Sequence, residues 1–429
     1  MDICVVALGK IGLPLAASFA ARGHRVIGAD TDERVVELVN AGSEPFPGEH
    51  GLDRLLKDTV GAGLLTATTD TAAAVARSEA VVAVVPLVTD AAGTPDFRAL
   101  DAATEAIGRG LTPGTLVSYE TTLPVGTTRD RLGPLLHRSS GLAPGTGFPL
   151  VFSPERVFTG RVLADLRRYP KLIGGVCAES ARRGVHFYTQ VLEFDPRPDL
   201  PRPNGVWDLG SAEAAELAKL AETTYRDVNI ALANQFARFA DRHGIDIEQV
   251  IDACNSQPYS RIHRPGIAVG GHCIPVYPRM YLWNDPGASV VRAARETNAA
   301  MPGYAVELLA GAYGDLAGAR VLVLGAAYRG GVKETAFSGV FPTVAALTAH
   351  GAVPYVSDPL YTDGELAERG LTPHRGEPVT AAILQADHAE YRALTAADLP
   401  GVRVLVDGRR TTDPDPAHWP GVHRVVIGG

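Results

Sequence analysis

Asp2-Ile3-Cys4-Val5-Val6-Ala7-Leu8-Gly9-Lys10-Ile11-Gly12 opens the chain, and Arg25-Val26-Ile27-Gly28-Ala29-Asp30 completes the unit that decides its fold. The apolar run 3–8 predicts a strand reaching a turn at Gly9. The spacing from Ile11 to Ala21 predicts a helix, Arg22-Gly23-His24 breaks it, and Arg25–Ala29 predicts a second strand. Strand, helix, strand make a βαβ unit, the start of a parallel sheet covered by helices. The turn fits GxGxxG except that Ala7 replaces the first glycine. Gly9 would let the backbone approach a pyrophosphate, and Gly12 would let the helix pack closely on its strand. The helix amino end adds N–H groups and partial positive charge. Asp30 follows Gly12 by 18 residues, where a carboxylate accepts the ribose hydroxyls of NAD and repels the extra phosphate of NADP. An NAD site at Gly9, Lys10, Ile11, Gly12 and Asp30 is therefore expected. The plain alternative is an ordinary strand–helix turn with a solvated Asp.

Further apolar runs at Ala80–Val85, Leu116–Tyr119, Leu150–Phe152 and Lys171–Ile173 continue the sheet. Residues 194–205 carry Pro196, Pro198, Pro201 and Pro203 and read as a boundary. Ser211 can then cap a helix running to about His243, with Gly244 as the stop. Its apolar positions Ala214, Leu217, Ala218, Ala221, Tyr225, Val228, Leu232, Phe236 and Phe239 step by threes and fours and predict one continuous buried stripe. A helix of roughly 48 Å follows from the rise per residue, a length suited to bridging domains or forming a subunit interface.

The pattern then restarts. Arg320–Gly325 predicts a strand meeting a glycine turn, Thr343–His350 a helix, and Ala352–Val356 a strand ending at Asp358. Ala381–Leu384 and Val402–Val406 predict more strands. The expected fold is α/β, with two Rossmann-like doubly wound domains joined by a long central helix. The expected domains are residues 1–198, 199–308 and 309–429.

Composition narrows the function. With 429 residues the chain is too long for one core. A net charge of −8 without any Lys/Arg block argues against binding nucleic acid. No apolar run approaches the roughly 18 residues of a membrane span. The N-terminus enters a strand at once, without a basic region or cleavage site, so a cytoplasmic location is expected. Cys4, Cys177, Cys254 and Cys273 form no CxxC pair, and no His cluster stands at ligand spacing, so no metal site is expected. Cys4 and Cys177 read as buried filler. Cys273 differs, because it ends the glycine-rich loop Arg264-Pro265-Gly266-Ile267-Ala268-Val269-Gly270-Gly271-His272-Cys273-Ile274-Pro275. A substrate could approach a thiol there, and a thiolate is a strong nucleophile. By itself the loop leaves a reactive and a structural cysteine both open.

These motifs together resemble the UDP-glucose/GDP-mannose dehydrogenase family, nearest to its branch oxidising UDP-N-acetylhexosamines. The resemblance rests on Gly9–Pro14, Thr121-Thr122-Leu123-Pro124-Val125-Gly126-Thr127-Thr128 and Ser153-Pro154-Glu155-Arg156-Val157 with Gly160-Arg161. It continues through Ala215–Leu220, Tyr225–Asn229, Gly270–Pro275, Ala327-Tyr328-Arg329 and Asp387-His388. It implies a four-electron oxidation by NAD of a C6 alcohol to the acid. Cys273 would trap the intermediate aldehyde as a thiohemiacetal that becomes a thioester. Lys219 would stabilise the reacting oxygen as an oxyanion donor does. A helix lysine is ordinarily solvated, but this one interrupts an Ala/Leu-rich stretch. Glu155 and Thr122 would hold a proton-relaying water, although Glu155 could be a plain loop carboxylate. Thr121 would join the cofactor site. Arg156, Arg161, Asn229, Arg261, Gly270, Gly271, Tyr328 and Arg329 would meet the nucleotide-sugar substrate. A homodimer packed through the central helix is implied as well.

Several family positions depart from the pattern. Thr223 replaces an asparagine four residues after Lys219, on the same helical face, and keeps one hydrogen-bond donor instead of two. Tyr277 replaces an aspartate four residues after Cys273. Glu334-Thr335-Ala336-Phe337-Ser338 lacks the arginine of a D-x-R-x-S element. Pro86-Leu87-Val88, Ala268 and Asn234-Gln235 are smaller changes. Such clustering suggests a two-electron oxidation, or another alcohol such as that of a nucleoside or secondary-metabolite sugar. A non-catalytic binding protein is the other reading. Retention of Cys273, Lys219, Glu155 and Thr122 together stands against it.

Overall fold

The opening strand is shorter than the apolar run that announces it. Strand β1 spans Asp2–Val6 and helix α1 spans Gly12–Ala21. Ala7 sits between them at φ 73°, a left-handed backbone that ends the extended run before Leu8. The computed structural model describes residues 1–90, 93–158 and 160–429, and it divides into two units, residues 1–222 and 223–429.

The first unit holds an eight-stranded sheet. After β1 come β2 (Arg25–Ala29), β3 (Leu65–Thr68), β4 (Ala80–Ala83), β5 (Leu116–Tyr119), β6 (Leu150–Phe152), β7 (Lys171–Gly175) and β8 (Val206–Asp208). Their order across the sheet is β8-β7-β6-β5-β4-β1-β2-β3. The order reverses between β1 and β4, the switch point at which open α/β sheets bind ligands. Strands β1 to β6 run parallel. The far edge corrects the expectation of a continued parallel sheet, because β7 runs antiparallel to β6 and β8 follows β7. Among the described residues the only helix between β6 and β7, Val162–Arg168, has seven residues. Its rise of about 10 Å does not make the return crossover that parallel pairing requires. Ile3, Val5, Leu13, Leu15, Phe19 and Val82 fill the core.

Cys4 is fully buried, and burial pushes its thiol up to about 12, so it is inert filler as expected. Cys177 is half-buried, not interior. Its sulfur accepts the Ser180 N–H and caps the helix Ala178–Val191, a polar task that holds it at the helix end.

In the second unit β9 (Arg320–Leu324), β10 (Val353–Ser357), β11 (Ala381–Leu384), β12 (Val404–Asp407) and β13 (His423–Val426) form a parallel sheet, ordered β10-β9-β11-β12-β13. Both sheets have the doubly wound character expected from the sequence. Among the described residues no helix is long and apolar enough to cross a membrane.

The long helix spans Ala212–His243. Ser211 Oγ accepts the Ala214 N–H at 3.2 Å, and Gly244 ends the helix at φ 62°. The expected buried stripe is largely exposed: Leu217 43%, Tyr225 57%, Leu232 44%, Phe236 39% and Phe239 52%. The buried face instead carries Ala215, Glu216, Lys219, Leu220, Thr223, Asp227, Ala231, Asn234, Ala237 and Ala240. Small side chains allow close approach there, and the polar ones are paired. Asp227 bonds Arg295 at 2.6 Å and Asn234 bonds Asn298 at 2.8 Å. Apolar periodicity could not distinguish this face from the bulky one.

A Cβ on Gly12 would lie 2.0 Å from the Ala7 carbonyl oxygen. Gly12→Ala is expected to cost about 1–3 kcal/mol in denaturant unfolding and to weaken NAD binding. Ala7→Gly is expected to be neutral or to stabilise by up to about 1 kcal/mol, since it relieves the left-handed strain.

Candidate active site

The β1–α1 turn is shaped for a dinucleotide. A Cβ on Gly9 would meet nothing within 4 Å, so a ligand backbone can approach, and no side chain caps α1. Asp30 closes β2 with Oδ2 accepting the Leu8 N–H at 2.7 Å and Oδ1 accepting the Asp32 N–H at 3.0 Å. These bonds hold its carboxylate beside the turn. Lys10 is exposed and Ile11 half-buried at the same place. The residues present therefore fit NAD. Thr121 lies just past β5, and its hydroxyl donates to the Val85 carbonyl at 2.6 Å, tying the ends of two strands together.

Thr122, 7% exposed, begins the turn that Glu216 secures. From the long helix, Glu216 accepts the Gly126 N–H at 2.6 Å, the Thr128 N–H at 2.8 Å and the Thr128 hydroxyl at 2.7 Å. Burial still pushes its carboxyl up to about 7. Lys219 lies one turn further along and is 8% exposed, as is Thr223. Lys219 is near enough to help pull the Glu155 carboxyl down. Glu155 and Lys219 are thus near one another, and Thr122 lies just past the carboxyl end of β5.

Glu155 has a partner that sequence reading missed. Phe152 on β6 faces Gly174 on β7, and continuing that antiparallel register sets Glu155 opposite Lys171. Lys171 Nζ donates to Glu155 Oε1 and, at 2.8 Å, to Glu120 Oε2. Burial raises the Glu155 carboxyl, but the Lys171 ammonium, the bond from Glu120 and Lys219 outweigh it and hold Glu155 below its usual range. Burial pushes Glu120 up to about 8, against the pull of Lys171. Burial opposes the Lys171 charge too, yet its two carboxylates keep it firmly protonated. A lysine heading an apolar strand, with a glutamate at a neighbouring strand end, was the available signal.

In the second unit Cys273 is exposed. Its carbonyl accepts the Val276 N–H at 3.2 Å and the Tyr277 N–H at 2.9 Å, so it starts the turn into the helix Tyr277–Asn284. Gly270 and Gly271 press on Tyr328. A Cβ on Gly270 would lie 2.6 Å from Tyr328 Cβ, and Gly271 has φ 91°. The Tyr328 carbonyl accepts Arg409 Nη2 at 3.3 Å, and Arg329 Nε donates to the Tyr328 hydroxyl at 3.2 Å. His272 pairs with Glu334 at 3.3 Å. Where the family arginine was expected, Ala336 offers its carbonyl to the Gly271 N–H at 2.9 Å. That position steadies the cysteine loop through backbone alone.

The other expected substrate contacts have protein partners. Asn229 accepts the His263 N–H at 2.9 Å and donates to the Arg261 carbonyl at 2.8 Å, bracing the loop that carries Arg261. Arg156 pairs with Glu222 at 3.0 Å and Arg161 with Asp165 at 3.1 Å.

Residues 1–192 match the UDP-glucose/GDP-mannose dehydrogenase family, NAD binding domain, and residues 213–300 match the central domain of that family. The chain is 32% identical over 420 residues to the UDP-N-acetyl-D-mannosamine dehydrogenase of Pyrococcus horikoshii, covering 95% of each. The enzyme of that name from Methanocaldococcus jannaschii is 31% identical, over 96% of this chain and 91% of its own. Among solved structures, the Pyrococcus horikoshii UDP-D-ManNAc dehydrogenase superposes with TM-score 0.87 at 30% identity, covering 100% of this chain and 99% of that one. The NDP-N-acetyl-D-galactosaminuronic acid dehydrogenase of Methanosarcina mazei gives 0.85 at 26%, covering 99% and 94%.

The raised Glu120 carboxyl has a measurable sign. The folded chain keeps a proton there that the unfolded chain releases near the ordinary carboxyl range. Its stabilising contribution is full below that range and is lost as pH rises through about 8. Denaturant stability of the wild type, relative to Glu120→Gln, is expected to fall between about pH 5 and pH 8.

Proposed function

The chain belongs to the UDP-glucose/GDP-mannose dehydrogenase family, and we propose on that footing that it is an NAD-dependent dehydrogenase of a nucleotide sugar, a UDP-N-acetylhexosamine, converting the C6 alcohol to the acid. The observation that carries the covalent part is the exposure of Cys273 on a clamped glycine loop, whereas the filler cysteine Cys4 is buried. NAD, when bound at the β1–α1 turn, supplies the hydride acceptor. An aldehyde is a poor hydride donor until a nucleophile makes its carbon tetrahedral. The Cys273 thiolate adds to it as a thiohemiacetal. Loss of a second hydride, for which a second NAD would be the acceptor, leaves a thioester, and water held by Thr122 and Glu155 opens that thioester to the acid and frees the thiol. Lys219 stabilises negative charge on the reacting oxygen, and Thr223 adds one hydroxyl donor on the same helical face. Arg156, Arg161, Arg261, Tyr328 and Arg329 hold the nucleotide sugar, Gly270 and Gly271 let it close on the loop, and Asn229 supports Arg261.

The departures at Thr223, Tyr277 and Ala336 favour a second reading, in which oxidation stops after two electrons or acts on another alcohol. Counting NADH decides between them. Two per molecule of UDP-N-acetylmannosamine is the expected result, and one would establish the two-electron course. Cys273→Ser is expected to stall the four-electron reaction part-way, with at least a hundredfold loss of acid formation, about 2.7 kcal/mol in barrier. It would hardly affect a two-electron enzyme.

We also propose a homodimer, with the exposed stripe from Leu217 to Phe239 as its apolar contact, working in the cytoplasm. The segments 1–198, 199–308 and 309–429 would serve as NAD-binding, dimerisation and substrate-binding parts. Phe236→Asp with Leu232→Asp is expected to halve the mass measured by light scattering. An unchanged mass would remove this face from the interface.

A further inference from the structure

The first unit buries an ammonium between two carboxylates, and the reaction proposed above uses only one of these three groups. Lys171 is 5% exposed and Glu120 1%. Lys171 Nζ reaches both carboxylates, and Glu120 lies in hydrogen-bond contact with Glu155. Behind Glu120 the Tyr188 hydroxyl donates to Oε1 and meets Ser118 Oγ at 2.7 Å. The Tyr188 ring lies 4.7 Å from Lys171 Nζ. Tyr188 and Ser118 are both 0% exposed, so this side is closed to water. Lys219 on the long helix is the remaining charge acting on Glu155.

Two buried carboxylates bound to one ammonium lie close enough to repel each other, which the interior disfavours unless a proton stays with the pair. Glu120 is the more enclosed carboxylate. Glu155 keeps a side-chain exposure of 10% and feels a second ammonium. The proton therefore rests on Glu120 and the charge on Glu155. We propose that Glu120 and Lys171 are positioning residues for the reaction: Lys171 fixes Glu155 in place as an ionised base, and Glu120 keeps the one proton that spares the two carboxylates their repulsion. This rests on the reading that Glu155 handles water and protons. A proton taken up by Glu155 leaves by its open side, since the Tyr188 side has no outlet.

The test uses the full chain. Infrared pH-difference spectra of the wild type are expected to show, beside a Glu216 carboxyl band that fades near pH 7, a second protonated carboxyl band that fades as pH rises through about 8, and Glu120→Gln should lack only the second. Lys171→Met is expected to move the acid limb of kcat upward by about one pH unit or more as Glu155 loses its cation, and Lys171→Arg should restore it. A folded Lys171→Met with the wild-type pH profile overturns the proposal. So does survival of the band that fades through about pH 8 in Glu120→Gln, which is nearly isosteric and decides the matter should Lys171→Met not fold. Glu155→Gln separates the two readings. If it stays active, the role given to Glu155 above fails. If it is inactive while Lys171→Met keeps the wild-type profile, only the present inference fails.

Discussion

A single ammonium, that of Lys171, holds together the part of the first unit where chemistry is expected. It bonds a glutamate past the end of β5 and another past the end of β6. Removing a partner from a buried ion cluster leaves an uncompensated charge, which costs far more than a surface ion pair. The strand reversal at β7 makes the arrangement possible. Because β7 runs antiparallel, its first residue lies at the carboxyl end of the parallel strands, where the phosphate loop also opens. A parallel β7 would have sent Lys171 to the opposite end of the sheet.

The long helix carries two stripes with different tasks. Its buried face is built from small and polar residues, and Glu216 uses three hydrogen bonds to anchor the Thr121–Thr128 turn one helical turn before Lys219. That brace ties the turn carrying Thr122 to the helix carrying Lys219. The bulky stripe stays exposed within the chain. Contiguous exposed apolar surface of this kind marks an interface more often than an ordinary surface.

In the second unit glycine permits what the cysteine loop requires. Gly270 and Gly271 lie against Tyr328 where side chains would collide. Ala336 and Glu334 meet the same loop through backbone and side chain. The missing arginine thus leaves the loop's support intact while removing a charge that could have met a substrate. Tyr277 stands at the start of the helix that follows Cys273 and brings no carboxylate to the thiol.

Local patterns made much of this legible. The strand–turn–helix–strand opening, Asp30, the 32-residue helix with its Ser211 and Gly244 ends, and the second glycine turn at Gly325 could be read from the chain, because each depends on neighbours within one or two turns or one strand. Tertiary structure alone decided which face of the long helix is buried, where Lys171 finds its acids and what Asn229 braces. Those outcomes depend on strand direction and on pairings between residues far apart in the chain, 51 positions for Lys171 with Glu120 and 90 for Gly126 with Glu216. A burial pattern records how apolar a side chain is, not which surface comes to cover it. An isolated lysine in an apolar strand shows that a partner must exist, but the partner's identity is set only when the sheet closes.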